Sequence, residues 1–220
     1  MNRVRVWDLP TRVFHWGLVL CFVGLVATGQ YGGEAMVWHF RLGYAALSLL
    51  LFRLLWGFSG GIWSRFSTFV AGPASILRYV RGEGTARQSV GHNPLGALSV
   101  LALLAFALLQ ISAGLFSDDE IATSGPLAKM ASGSVVSFAT FFHTEVGKII
   151  LIVLVLLHVS AIVFYRVKRG ENLVRPMLNG DKEMAEPFES AQDNAGSRIK
   201  ALMLFFVCAA CVAALVQWAK

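Results

Sequence analysis

The residues of this sequence best suited to chemistry are histidines placed in or beside apolar runs. Four of the five histidines have this setting: His15, His39, His143 and His158. An ionisable side chain inside a membrane span is costly and usually marks a functional site. A neutral imidazole is also a common ligand of iron, zinc and copper. These four residues are therefore the first candidates for a metal or cofactor site.

The composition indicates that the apolar runs lie in a membrane. Of the 220 residues, 56% are hydrophobic and 15% are charged, whereas soluble domains carry about 25% charged residues. The net charge of +6 could suggest a nucleic-acid partner. The Lys and Arg residues, however, gather beside apolar runs, which is a topology signal rather than a nucleic-acid surface. We expect an integral membrane protein with no nucleic-acid partner.

Five runs are long enough to cross about 30 Å of hydrocarbon, which takes roughly 20 helical residues. They are residues 13–30, 38–58, 94–116, 142–167 and 199–218. Asp8 and Asn93 precede the first and third runs and are expected to cap those helices. A signal peptide is the alternative for the first run, but His15 lies inside it and no small-residue cleavage site follows before Gln30. We therefore expect a retained first helix.

The charges of the connecting segments predict the orientation of the spans, because Lys and Arg are retained on the cytoplasmic side. The basic segments are the N-terminus and those after the second and fourth runs, with Arg3, Arg5, Arg12, Arg65, Arg78, Arg81, Arg87, Arg166, Lys168, Arg169, Arg175, Lys182, Arg198 and Lys200. The acidic segments follow the first and third runs, with Glu34, Asp118, Asp119 and Glu120 against Lys129. The prediction is a cytoplasmic N-terminus and a periplasmic or otherwise external C-terminus.

Depth in the membrane pairs the four histidines. His15 and His158 lie toward the cytoplasmic side, whereas His39 and His143 lie toward the external side, with His143 opening the fourth run. The two on that run are separated by roughly 22 Å along a helix and by about 60° around it. One helix face can thus serve two sites. We predict that the two pairs ligate the irons of two non-covalent b-type haems, and two imidazoles per iron favour electron transfer over oxygen chemistry.

Cationic side chains near each pair are candidates for binding the haem propionates, because a buried carboxylate needs a partner. Arg12 and Arg53 lie at the cytoplasmic level and Arg41 at the external level. Each is explained equally well as an interfacial cation. His92, in a turn without a depth partner, is expected to have a structural or propionate-side role rather than an axial one. Covalent haem attachment is not expected, because the sequence has no Cys-x-x-Cys-His motif.

Four motifs carry a family resemblance. They are Arg-Val-Phe-His-Trp at 12–16, Trp-His-Phe-Arg-Leu-Gly at 38–43, Gly-His-Asn-Pro-Leu-Gly at 91–96, and the segment from Phe-His at 142–143 to the histidine at 158. Together they resemble the bacterial cytochrome b561 family, which includes the cytochrome b subunits of nickel–iron hydrogenases. The resemblance implies an all-α integral membrane bundle of four helices that holds two haems b and exchanges electrons with quinones and redox partners. By position, the axial ligands of the family match His15, His39, His143 and His158.

The chain extends beyond the four-helix pattern of the family. Residues 1–168 are expected to form the dihaem bundle, 169–198 a polar cytoplasmic connector, and 199–220 a fifth, C-terminal transmembrane helix. That helix either packs on the bundle or docks another subunit.

Three functions are compatible with these features. The leading hypothesis is respiratory electron transfer between the quinone pool and a periplasmic partner, such as a c-type cytochrome or a hydrogenase. The second is a self-sufficient oxidoreductase that acts on superoxide or quinol at an external pocket, with Lys129, Arg41 and Lys148 as the available cations. The third, a non-haem metal transporter, predicts ligands at one depth, whereas these histidines are split between two. Whether the chain is the quinone-reactive subunit of an enzyme, and whether it forms a homodimer, is left open.

Overall fold

The computed structural model describes residues 2–121 and 123–219, and most of them are helical. The helices are α1 (Leu9–Tyr31), α2 (Met36–Ser59), α3 (Phe66–Phe69), α4 (Pro73–Val80), α5 (Pro94–Phe116), α6 (Gly133–Phe141), α7 (Lys148–Lys168), α8 (Val174–Asn179) and α9 (Ala195–Trp218). A π-helical turn, Phe142–Gly147, joins α6 to α7. Two strands, β1 (Asn2–Arg5) and β2 (Asp181–Met184), pair antiparallel in a short ribbon.

Five helical segments of the described residues are long and apolar enough to cross a membrane. They are Leu9–Tyr31, Gly33–Ser59, Pro94–Phe116, Gly133–Lys168 and Ala195–Trp218. Large apolar side chains such as Leu20, Phe58 and Leu157 are exposed on these helices, as expected for surfaces that contact lipid. The predicted all-α fold class and multi-pass membrane location are therefore confirmed.

The predicted start of the fourth span was wrong. We expected His143 to open it, but the helix already begins at Gly133, so that His143 lies well inside it. Residues 133–141 contain serine and threonine, which weaken the apolar signal. Such hydroxyls are compatible with a helix because they bond to its own carbonyls, as Thr140 Oγ1 does to Val136 O at 2.9 Å. The estimate of about 60° between residues 143 and 158 assumed α-helical geometry throughout, and the π turn invalidates it.

The other spans begin and end within four residues of the predicted bounds, and both predicted caps are present. The Asp8 carboxylate accepts a hydrogen bond from the backbone N–H of Thr11 at 2.8 Å, and the Asn93 side-chain oxygen accepts one from Gly96 N–H at 2.8 Å. Each satisfies an amide that the first turn of a helix leaves without an intrahelical partner. The caps explain why α1 and α5 begin where they do.

Asp8 also connects α1 to the end of α2. Its side chain is fully buried, and its second oxygen accepts hydrogen bonds from Trp56 Nε1 at 3.2 Å and from Gly61 N–H at 3.1 Å. A buried carboxylate is tolerated only with such partners. The carboxylate therefore fixes the entry of the first span against the exit of the second.

The chain divides into two compact units, and each contains parts of several helices. Unit 1 contains the chain up to Trp16, Phe52–Leu101 and His158–Phe205; unit 2 contains Gly17–Leu51, Ala102–Leu157 and the residues from Phe206 onward. All of the residues of the basic segments used to predict the orientation fall in unit 1, whereas the opposing Lys129 falls in unit 2. The acidic residues listed with Lys129 fall in unit 2.

Each unit has a hydrophobic core. In unit 1 the buried cluster consists of Val4, Val6, Trp7, Trp63, Val90 and Ala191. In unit 2 it consists of Leu47, Leu115 and Val212. Because Val212 belongs to α9, the C-terminal helix packs against α2 and α5 within unit 2. It therefore contributes to the core of the protein.

The β1–β2 ribbon in unit 1 is held by ion pairs. Arg5 contacts Asp181 at 2.5 Å and Asp193 at 2.6 Å, and Arg198 contacts Asp193 at 2.9 Å. Arg3 also pairs with Asp181. Both carboxylates are buried, so their charges are screened less than those of surface ion pairs. The segment predicted as a polar connector thus contains a helix, a strand and two acids bonded to the start of the chain.

We expect this ribbon to open in acid. Burial raises the pKa of Asp181 and of Asp193, but hydrogen bonds from the arginines outweigh it and hold both pKa values below the ordinary value of 3.8. A carboxylate of this kind contributes stability above its unfolded pKa, and that stability is lost as the pH falls through the folded pKa. Amide hydrogen exchange of residues 2–5, corrected for its intrinsic rate, should therefore accelerate below about pH 4 and stay nearly constant from about pH 5 to 8.

The control for this experiment is the exposed Glu186 in the same segment. In the Asp193→Asn variant, the amides of residues 2–5 should exchange faster already at neutral pH, and their exchange should respond less to acid. In the Glu186→Gln variant, they should exchange as in the wild type. Exchange that stays constant down to about pH 3 would contradict the role given to these ion pairs.

Candidate functional site

The structure brings the rings of His39 and His143 close together in unit 2. Their ring centres are 6.1 Å apart and their planes are nearly perpendicular, at 88°. A metal–imidazole bond is about 2 Å long and the ring centre lies about 1.1 Å behind the nitrogen, so two imidazoles on opposite sides of one metal ion have centres roughly 6 Å apart. The observed separation matches that arrangement.

Hydrogen bonds orient both of these rings. His39 Nδ1 lies 3.1 Å from Leu25 O and 3.2 Å from Thr28 Oγ1, and His143 Nδ1 lies 2.8 Å from Gln110 O. Since a carbonyl only accepts, each Nδ1 carries the proton and donates. The Nε2 atom is then the nitrogen that can bind a metal, and the Nδ1 bond fixes the tautomer and orientation of the ring.

Two glycines that sequence reasoning missed make room for the rings. A Cβ atom on Gly29 would lie 3.2 Å from Cε1 of His39, and one on Gly114 would lie 2.7 Å from Cε1 of His143. The second distance is shorter than real Cβ contacts, so alanine at Gly114 would displace the imidazole. Glycines are ordinary packing residues in membrane helices, and nothing in the sequence distinguished these two.

Gln110 on α5 bonds to His143 through two groups. Its backbone carbonyl accepts from the imidazole, and its side-chain Nε2 donates to the backbone carbonyl of His143 at 2.8 Å. A Cβ atom on Gly147 would lie 2.1 Å from Gln110 Oε1, so this glycine lets the amide approach the π turn. Such turns occur frequently at functional sites. Gln110 has the only amide side chain of α5, and an amide within an apolar span was the signal that could have identified it.

Unit 1 contains the other two predicted ligands together with His92. His15 and His158 come from α1 and α7, and they lie close enough for their charges to interact. Both also act electrostatically on His92. The His15 ring lies edge-on to Trp16 at 5.1 Å. Its Nδ1 is buried, and among the described residues it has no hydrogen-bond partner. Unit 1 therefore brings three histidines into one region.

His92 lies between two aromatic rings. Its ring centre is 4.7 Å from that of Trp7 and 4.8 Å from that of Phe69. Burial, followed by the charges of Arg53 and of the two neighbouring histidines, lowers the pKa of His92 to about 3. The imidazole is therefore neutral at physiological pH and can donate one hydrogen bond.

The three predicted arginines have different surroundings. Arg53 is 2% exposed and its guanidinium lies 5.1 Å from the ring centre of Phe66. Within the described part of the chain its Nη1 has no hydrogen-bond partner. Arg41 is exposed and lies over Trp38 at 5.0 Å. Arg53 is thus the buried cation of unit 1, whereas Arg41 is an interfacial cation of unit 2.

Arg12 is largely engaged with the protein. Its Nη1 donates to Leu178 O at 2.7 Å, and its Nη2 is 3.7 Å from an Asp193 oxygen. Its Nε is buried and has no hydrogen-bond partner in the ranges that the structure describes. The Nε–H of Arg12 is thus a buried donor that a cofactor could use.

The alternative functions receive little geometric support. Two polar cavities of about 400 and 290 Å³ lie in unit 1, and neither is lined by Arg41, Lys129 or Lys148. Among residues 2–121 and 123–219, no group of three or more His, Cys, Asp and Glu side chains is arranged to hold a metal ion. The histidines instead offer ligands two at a time.

These features define a helical membrane protein in which histidines from different membrane-spanning helices lie close together in pairs. The family model of prokaryotic cytochrome b561 matches residues 6–180. The chain belongs to this family, as its motifs predicted. It is therefore a membrane cytochrome that binds haem b and functions in electron transfer.

Several curated relatives are named as probable Ni/Fe-hydrogenase B-type cytochrome subunits. The one from Azotobacter chroococcum mcd 1 is 26% identical over 209 residues, which cover 80% of this chain and 87% of that protein. The one from Azotobacter vinelandii is 31% identical over 123 residues, which cover 44% of this chain and 51% of that protein. A hydrogenase 1 subunit from Escherichia coli (strain K12) is 24% identical over 137 residues, covering 50% and 57%. The chain thus spans little more than half the length of the last two. No solved structure matches the chain.

We expect Gln110→Leu to weaken haem retention, because the amide of Gln110 orients the predicted ligand His143. The substitution keeps the size of the side chain and the backbone carbonyl, but it removes the donor to the His143 carbonyl. Losing one such bond costs about 1 kcal/mol, which corresponds to a roughly fivefold faster loss of haem. The measurement is the haem content per chain over time after dilution in detergent.

Ser112→Ala, an exposed position on the same helix, is the matched control and should retain haem as the wild type does. Equal haem retention in the Gln110→Leu protein and this control would show that the amide does not position His143.

Proposed function

We propose that the chain binds two haems b, one between His39 and His143 and one between His15 and His158. The observation that carries the proposal is the opposed pair in unit 2, with ring centres 6.1 Å apart and each Nδ1 next to a backbone carbonyl. Both rings present Nε2 for axial ligation. When bound, each haem supplies an iron that changes its charge by one electron.

The pair in unit 1 supports a second haem through its surroundings. His15 and His158 belong to different helices and interact electrostatically. Buried donors of Arg12 and Arg53 lack hydrogen-bond partners within the described residues. A carboxylate-bearing cofactor would provide acceptors for such groups. Arg53 is the strongest candidate for a propionate in this unit, Arg12 contributes its Nε, and Arg41 is the candidate in unit 2.

Two histidines on one iron direct the chemistry toward electron transfer. With both axial positions held by the protein, no site on the metal is left for oxygen or another substrate. The protein would then act by orienting the imidazoles and excluding water. The redox partners would remain outside the coordination sphere of the iron.

The charge distribution supports a cytoplasmic N-terminus and a periplasmic C-terminus in a bacterial inner membrane. Every basic segment used for the prediction falls in unit 1, and the acidic segments fall in unit 2. Since Lys and Arg remain on the cytoplasmic side, unit 1 faces the cytoplasm. We divide the chain into a dihaem bundle at 1–168, a cytoplasmic connector at 169–198 and the final helix at 199–220.

The partners follow from the relatives and from the redox chemistry. The relatives are named as hydrogenase subunits, and this supports a periplasmic hydrogenase, or a c-type cytochrome, as the soluble partner. A lipid-soluble quinone is the matching carrier within the membrane. The haems would supply one-electron carriers, and oxidation of a quinol to a quinone would deliver its two electrons to them one at a time, with its two protons released to water. The proposal covers transfer in either direction.

The reduced-minus-oxidised visible spectrum, with haem quantified per chain, tests the two sites. We expect two low-spin b haems in the wild type. His39→Ala and His15→Ala should each remove one haem, and the double variant both, because each substitution removes an axial ligand from a different pair.

Phe138→Leu, at an exposed position on α6, is the control and should keep both haems. Loss of the same haem in both single variants, or one haem in the wild type, would refute the proposed pairing.

A separate experiment tests the redox role. In liposomes containing the purified protein, a short-chain quinol should reduce the haems once, and steady turnover should begin only when an oxidised c-type cytochrome is added as the acceptor. In the reverse direction, steady reduction of a quinone should require a hydrogenase with hydrogen as the donor. The reason is that no metal position is open to a terminal substrate. The measurement is haem absorbance by stopped flow, with protein-free liposomes as the blank. Sustained partner-free oxidation of quinol, or consumption of superoxide, would favour the self-sufficient oxidoreductase instead.

A further inference from the structure

The turn that carries His92 is anchored on both sides. Val90, two residues before it, is 1% exposed and belongs to the core cluster of unit 1. Asn93, the next residue, caps α5 through its oxygen and donates from Nδ2 to the Tyr165 hydroxyl at 2.8 Å. The Tyr165 hydroxyl also lies 3.0 Å from that of Tyr79. Because Tyr165 is on α7, the turn is bonded to the same helix that carries His158.

These anchors hold an imidazole whose Nδ1 lacks a protein acceptor. The His92 ring is fixed between Trp7 and Phe69, both of which are 6% exposed. Its Nδ1 is buried and has no hydrogen-bond partner among the residues that the structure describes. Leaving a buried polar atom unpaired costs free energy, and such atoms in native proteins call for an explanation. If this ring had only a packing role, phenylalanine would be the more stable residue here, because it has no polar atom to leave unpaired.

The charge around His92 indicates what it would bind. Arg53 is the nearest strong influence on it after burial, and the Arg53 Nη1 is likewise unpaired within the described ranges. The nearby buried acid, Asp8, already accepts from Thr11 N–H, Trp56 Nε1 and Gly61 N–H. The oxygens of Asp8 are thus already used, and the unpaired Arg53 Nη1 and His92 Nδ1 leave the region with a surplus of hydrogen-bond donors. The complementary ligand is an anion with two acceptor oxygens, that is, a carboxylate.

We propose that His92 is a haem-binding residue that donates a hydrogen bond to a propionate carboxylate of the haem held by His15 and His158, with Arg53 supplying the positive charge. The inference rests on the proposed function, since it requires a haem in unit 1. His92 is then neither an axial ligand nor a packing residue. It acts as a neutral donor, and the anchored turn presents it to the edge of the cofactor.

The test isolates the unit 1 haem in a His39→Ala background. In that background His92→Phe keeps the ring between Trp7 and Phe69 but removes the donor, and His92→Gln keeps a donor. Haem transfer to excess apomyoglobin should be about tenfold faster in His92→Phe than in the background protein, the size expected for one hydrogen bond to a charged group. The rate of haem transfer from His92→Gln should lie between the rates of the background protein and of His92→Phe. The carboxylate bending vibration in resonance Raman spectra should shift in His92→Phe, while the low-spin spectrum is retained.

Each outcome decides between the alternatives. Loss of the low-spin spectrum in His92→Phe would make His92 an axial ligand, and equal rates with an unchanged carboxylate vibration would make it a packing residue; both overturn the proposal. Identical behaviour of His92→Phe and His92→Gln would also overturn it. If the His39→Ala background itself holds no haem or two haems, the proposed pairing fails instead, and this is established before His92 is changed.

Discussion

The histidine pair of unit 2 depends on one constraint: a ring that presents Nε2 needs a hydrogen-bond acceptor for its Nδ1 proton. Water is scarce inside a membrane, so the acceptor is a helix carbonyl with a second lone pair. Leu25 and Gln110 supply such carbonyls to His39 and His143. The π turn, the Gln110 amide and the space at Gly114 serve the same purpose, because they place one ring within reach of one carbonyl.

The two units satisfy buried polar groups in different ways. In unit 2 the histidines are bonded to backbone atoms before any cofactor is considered. In unit 1 several buried donors, including those of Arg53 and His92, have no acceptor among the described residues. A preformed pair of imidazoles favours tight and rigid ligation, whereas a donor surplus favours an anionic cofactor. We infer that the haem of unit 2 is positioned mainly through its ligands and that of unit 1 also through its carboxylates.

The sequence predicted the parts of this arrangement that depend on local chemistry. The lengths of four spans, the caps at Asp8 and Asn93 and the family followed from apolar runs, capping residues and motifs. The early start of the fourth helix was missed because Ser and Thr lowered its apolar character. The roles of Gly29, Gly114 and Gln110 could not be predicted, because they depend on which residues of other helices lie opposite. The ligand assignments remain predictions that the spectra will test.

The β1–β2 ribbon has a consequence for the order in which the protein assembles. Its two strands, Asn2–Arg5 and Asp181–Met184, are separated by nearly the whole chain. The first strand is synthesised before the second, and it cannot pair until the four spans between the two strands have been made and the ribosome has passed residue 184. Contacts of such long sequence separation form slowly. The first strand must therefore remain unpaired while these four spans are synthesised.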